Sequence, residues 1–188
     1  GCGPWIEQQI QLNPFTKVIK SKNVKSSSGR MVAVHTSRAD LYGSLWCVRE
    51  MREAMQENVK ITAALSVNYT KEFKNKYGRN IEVGAGHQDA LAVAGVTVDA
   101  AKAKCRDEDF DRLWEELYKY GHMNEVNKAV MKKRIEMLHD VMLDVLKDKA
   151  MKGKPKALFD LAKDGNFQAI DLLLELTEYK QASPRSTL

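Results

Sequence analysis

Six cations crowd the first 38 residues: Lys17, Lys20, Lys22, Lys25, Arg30 and Arg38 stand against a single acid, Glu7. That segment carries the whole net charge of +5, so residues 39–188 sum to zero. A basic arm on a neutral body is a common arrangement in proteins that neutralise nucleic-acid phosphates, and it also serves as a solvated tail that keeps a chain in solution. Side chains able to do covalent chemistry are sparse. No GxxxxGK[ST], HExxH, GxSxG or CxxC pattern occurs, and GAGHQD (84–89) has two glycines of a phosphate loop but no lysine to complete it. Cys105 beside Arg106 has the setting of a lowered thiol pKa, although a small packing residue is the simpler role. Glu115–Glu116 and Asp107–Asp109 read as a solvated helix face. The cysteines Cys2, Cys47 and Cys105 are odd in number and far apart, which fits a reducing, cytoplasmic compartment rather than a disulfide framework. The histidines lie scattered, so no metal site and no cofactor is expected. These residues give no strong enzyme signature, and no small-molecule substrate is expected.

The elements that must position these side chains are mostly helical. With 44% hydrophobic and 29% charged residues the chain can bury a core and stay dissolved, and no apolar run approaches the roughly 18 residues of a membrane span. WIEQQIQL (5–12) suits a short amphipathic helix, TKVIKSKNVKSSSGR (16–30) a flexible linker, and MVAVH (31–35) a short strand. Leu41, Leu45, Val48, Met51 and Met55 predict a helix over 38–58, capped by Asp40 or Ser37, and the helical tendency continues over 59–77 until Gly78. A short helix follows at 87–94. Gly95 then breaks the chain, Thr97 offers a cap for a helix over 98–105, and Asp107 one for a helix over 108–120. There Phe110, Leu113, Trp114, Leu117 and Tyr118 share a face.

The longest helix is expected over 124–150, where Met131, Ile135, Leu138, Met142 and Val145 form a heptad seam widened by Val130, Met137 and Val141. The seam suits packing inside the chain or an interface between subunits. Two twelve-residue units follow, AMKGKPKALFDL (150–161) and AKDGNFQAIDLL (162–173), sharing alanine, glycine, alanine and leucine at matched places. Each reads as a helix end at glycine and a fresh helix start, with Pro155 in one first turn and Asn166 as the other cap, giving helices over 154–163 and 167–178. The last residues, 182–188, are expected to be a disordered tail.

Residues 90–106 admit two structures. One is a single alanine-rich buried helix; the other is a helix-turn-helix pivoting at Gly95. Glycine costs about 1 kcal/mol inside a helix, and Val96, Thr97 and Val98 are three β-branched residues in a row, so the break is preferred. ALAVAGVTVDAAKAKCRDEDFDRLWEEL (90–117) resembles the DNA-binding segment of phage small terminase subunits and related phage helix-turn-helix proteins. KAMKGKPKALFDLAKDGNFQAIDLLLELT (149–177) is similar to the segment that closes such proteins, so the resemblance spans about residues 86–180. The chain departs from it in a second helix poor in groove readers, with Asp99 facing phosphate, and in residues 1–80, which match nothing in the pattern.

Together with the reading of the first 80 residues, this predicts a mainly all-α protein: a basic N-terminal arm, mostly irregular (1–37), a helical segment (38–78), a helix-turn-helix unit (79–120), and a long helix plus helical hairpin (121–181). The resemblance carries only the last two. It implies viral genome packaging without catalysis, in which the protein recognises double-stranded DNA and presents it to a large terminase-like motor subunit. Lys102, Lys104 and Arg106 would then touch phosphates, with Gln88 and Thr97 at the helix starts and Lys17, Lys20, Lys22, Lys25 and Arg30 adding salt-sensitive attraction. Small terminases assemble as homo-oligomeric rings, which makes Met131, Ile135, Leu138, Met142 and Val145 the expected interface. Two other readings stand beside this one. The chain could be a helix-turn-helix transcription or transposition accessory protein. It could also be a lipid-anchored viral matrix or adaptor protein acylated at Gly1 and Cys2, although Trp5 stands where the myristoylation pattern has Ser or Thr.

Overall fold

A computed structural model describes residues 14–26, 29–163, 166 and 168–174. In chain order the elements are α1 (Pro14–Ile19), α2 (Lys22–Ser26), β1 (Arg30–His35), a 3₁₀ turn (Leu41–Gly43), α3 (Leu45–Gln56), β2 (Lys60–Leu65), α4 (Val67–Glu82), α5 (His87–Val93), α6 (Asp107–Tyr118), α7 (Met123–Met151) and α8 (Lys156–Lys163). Residues 168–174 are also helical. The chain is thus mainly α with one small sheet. No helix among the described residues is long and apolar enough to cross a membrane.

The chain divides into two units. The first takes residues up to Ser66 together with Val98–Arg134. Its sheet is a parallel pair in which Arg30 faces Lys60 and His35 faces Leu65, joined through α3 as parallel strands require. Asp40 starts the 3₁₀ turn by accepting from the Tyr42 N–H at 3.3 Å, as its capping role predicted. The apolar stripe of α3 (Leu45, Val48, Met51, Ala54) is buried with Leu113 and Leu117 of α6 and with Val126 and Val130 of α7.

The second unit takes Val67–Thr97 and residues from Ile135 onward. Phe73 and Tyr77 of α4 stack with ring centres 5.5 Å apart. They are buried together with Leu91, Val96, Leu138, Met142, Leu146 and Leu158. Gly78 sits inside α4 rather than ending it. A side chain there would meet Val145 Cγ1 at 3.3 Å, so close packing, not a helix stop, asks for glycine. Asn166 caps the last described helix through a 2.9 Å bond from the Ala169 N–H.

Four expectations need correction. Residues 59–65 do not continue a helix, because Val59, Ile61 and Thr62 suit a strand and β1 offers a partner. The stretch 16–30 is not a plain linker, since α1 and α2 lie in it and α1 is anchored by buried Arg49 through Thr16 Oγ1. No helix forms over 98–105. The seam of α7 buries Leu138, Met142 and Val145 in the chain's own core, with Met131 and Ile135 half-buried, so those three buried side chains are not an open subunit interface. The expected helix over 5–12, the acylation sites Gly1 and Cys2, and the tail 182–188 lie outside the described residues.

The missing helix has a specific cause. α5 ends as expected at Gly95, whose φ of +81° places it in the left-handed region. The Val96 N–H returns to Leu91 O at 3.0 Å, closing the helix end and burying Val96. Beyond it the backbone finds partners elsewhere. The Ala100 N–H donates to Asn127 Oδ1 at 2.9 Å and the Ala101 N–H to Asp99 Oδ1 at 3.2 Å. Lys104 is clamped between the Gly43 carbonyl at 2.8 Å and the Leu45 N–H at 3.0 Å. Those bonds satisfy the groups a helix would have used, so the helix-turn-helix lacks its second helix.

Candidate nucleic-acid interface

The first unit has a cleft of about 580 Å³, bounded by Phe15 of α1, Trp46 and Glu50 of α3, Lys104 to Arg106, and Asp109 of α6. Local chemistry explains each wall. Trp46 lies off the buried stripe of α3, so its indole is left half-exposed. It is held from two sides. Its Nε1–H donates to Asp109 Oδ2 at 3.3 Å, and the Arg112 guanidinium stands 5.1 Å from the ring centre. Arg112 is itself fixed by a 2.8 Å pair with Asp109. Phe15 meets the indole edge-on, centres 6.1 Å apart. The rim is basic because the clamp on Lys104 leaves the side chains of Lys104 and Arg106 exposed.

A buried charge network fixes α1, and with it Phe15. Arg49 is only 2% exposed and its Nε lies 2.7 Å from Glu116 Oε2. Its terminal nitrogen also donates to Thr16 Oγ1 of α1. Glu53, equally buried, pairs with Lys20 Nζ at 2.9 Å and accepts from the Tyr120 hydroxyl. Burial works to raise the Glu53 carboxyl, but Tyr120 and Lys20 outweigh it and its pKa falls below the ordinary value. Glu50, at the cleft, goes the other way: burial pushes its pKa up, with Arg49 opposing. The Cys105 thiol is also pushed up, by burial and then by Asp109 and Asp107. Arg106 therefore does not activate it, and of the two roles read from the sequence the lowered thiol pKa, the less simple one, does not arise.

The residues expected to meet DNA separate in space. Lys104 and Arg106 line the cleft. Lys102 turns to Asp99, 2.9 Å away. Lys20 is engaged by Glu53, while Lys17, Lys22 and Arg30 are exposed. The side chain of Lys25 lies outside the described residues. Gln88 and Thr97 are exposed in the second unit. Phe15, Trp46, Glu50 and Asp109 were not anticipated as site residues; the one signal in the sequence was a tryptophan on α3 that falls outside its apolar stripe. Among the described residues no cluster of His, Cys, Asp and Glu is arranged to hold a metal ion. No family model, curated protein or solved structure matches the chain.

Proposed function

We propose that this chain binds nucleic acid without catalysing a reaction, and that it takes a single strand at the Trp46 cleft. The observation that carries the reading is the Phe15–Trp46 pair with Lys104 and Arg106 at its rim. Aromatic faces accept unstacked bases of any sequence, and flanking cations accept the phosphates. A strand is preferred over a duplex because residues 98–105 form no helix to enter a major groove. The exposed Lys17 and Lys22 add sequence-independent attraction from the same unit. Presentation of double-stranded DNA to a large terminase-like motor, in viral genome packaging, is a second reading that rests on the resemblance of residues 86–180 alone.

The test is fluorescence anisotropy with a labelled 20-nucleotide strand and the matching duplex across a salt series. The strand binds more tightly than the duplex. Trp46→Ala weakens it by roughly 1–3 kcal/mol, the value of one base stack. Lys104→Ala with Arg106→Ala lowers the salt slope by roughly 1.4, at about 0.7 per phosphate contact on a single strand. Preference for the duplex, or full strand affinity in Trp46→Ala, would sink the reading.

A further inference from the structure

α6 carries a second aromatic surface that the strand cleft does not use. Phe110, Trp114 and Tyr118 follow one another at every fourth residue. Phe110 and Trp114 stack with centres 5.3 Å apart, and Trp114 meets Tyr118 edge-on at 5.9 Å. Phe110 is 40% and Tyr118 50% exposed and Trp114 is half-buried, while Leu113 and Leu117, at the inner edge of the same broad face, are fully buried.

The ladder lies beside an acidic flank. Asp107, Asp111 and Glu115, also spaced by four, run along one side of it and are exposed. Among the described residues they make no ion pair, in contrast to Asp109 with Arg112 and Glu116 with Arg49. Three other aromatics of this unit show what such rings can take. Trp46, Tyr120 and Tyr42 each receive an arginine of the chain itself, at 5.1, 5.7 and 4.2 Å from the ring centre. Among the described residues, Phe110, Trp114 and Tyr118 receive none. Carboxylates on this flank repel phosphate, so a nucleic-acid strand does not suit it. Aromatic faces beside unpaired carboxylates suit guanidinium and ammonium groups, which gain from ring and charge together.

We propose that the outward face of α6 docks an arginine-rich peptide segment of a partner protein, independently of the strand cleft. Its cationic side chains lie over Trp114 and Tyr118 and pair with Asp111 and Glu115.

The probe is a fluorescein-labelled nona-arginine peptide titrated into the full chain, with a nona-lysine peptide for comparison. Nona-arginine binds more tightly than nona-lysine. Asp111→Asn with Glu115→Gln, which leaves the ladder and its packing intact, weakens binding at least fivefold and flattens its salt dependence. Trp114→Ala weakens it at least tenfold with an unchanged far-ultraviolet spectrum. Lys104→Ala with Arg106→Ala leaves peptide affinity in place, so failure of the strand reading does not alter this result. Equal peptide affinity in the wild type and both α6 variants would overturn the proposal, as diffuse charge attraction elsewhere. So would loss of strand binding in Trp114→Ala with peptide binding retained, which would make the ladder a nucleic-acid surface. A chain that self-associates through the ladder, is split by Trp114→Ala and takes up no peptide would overturn it too, the occupant then being a second copy.

Discussion

The two units bury polarity in different ways. In the first, Arg49, Glu53, Arg134 and His35 are nearly inaccessible, and Arg49 ties α3 to α6 through Glu116 and to α1 through Thr16. In the second, a buried polar contact runs from Tyr77 Oη to His87 Nδ1 at 2.7 Å, set among aliphatic and aromatic side chains. The difference separates adhesion from placement. Apolar packing holds the second unit together with little directional demand. The charge network of the first unit fixes where α1 lies, and so where Phe15 meets Trp46.

The comparison breaks most readily at Arg49. Arg49→Ala removes the buried guanidinium that Glu116 and Glu53 face, an effect of about 3–5 kcal/mol when one member of such a pair is removed. Denaturant unfolding followed by tryptophan emission reads it, since Trp46 and Trp114 both belong to the first unit. A loss under 1 kcal/mol would mean that the network is incidental. Tyr77→Phe in the second unit has a smaller effect, about 1–3 kcal/mol, because it strands one buried ring nitrogen and leaves the packing whole. Hydrogen exchange over residues 67–97 measures it, and an equal loss for the two variants would erase the contrast drawn here.

The smallest effect is acid sensitivity. Burial, then the nearby Arg134, lowers the His35 pKa from its ordinary 6.5. Asp40 opposes, and Tyr42 shares the pocket. Because the Ala33 carbonyl at 3.2 Å can only accept, His35 donates from Nδ1 and its Nε2 accepts from the Tyr42 hydroxyl. The unfolded chain takes up the proton more readily than the folded one. The His35 contribution is therefore whole above pH 6.5 and fades as pH falls below it. Glu53, lowered from 4.5, adds a second loss as pH falls further. Urea midpoints between pH 7 and 4, read by tryptophan emission, decline in the wild type. Replacing His35 by Gln flattens the portion above pH 5, and an unchanged slope in that variant would remove His35 from the account.

Much of the helical framework was legible because its signals are local. The long helix expected over 124–150 runs Met123–Met151, and the one expected over 108–120 runs Asp107–Tyr118. The strand near 31–35 and the caps at Asp40 and Asn166 are present as well. What failed depends on distant partners. Thr97 to Arg106 has the composition of a helix, but Asn127, Gly43 and Leu45 claim its backbone. Residues 60–65 have helical neighbours on both sides, yet β1 draws them into a strand. The site suffered most. Lys104 and Arg106 stood out as cations, but Phe15 and Trp46 are 31 residues apart and are paired by long-range anchors such as Arg49 to Thr16.

The parallel pairing of β1 and β2 also has a meaning in time. Arg30 meets Lys60 only after the chain between them has been gathered in, and a parallel ladder gains no help from a tight turn. α3 lies in that intervening stretch and can form from contacts a few residues apart. Helix is therefore expected to precede sheet in this unit. A weakened α3 would delay the appearance of protected strand amides, whereas a weakened β2 would leave the rate of helix formation as it is.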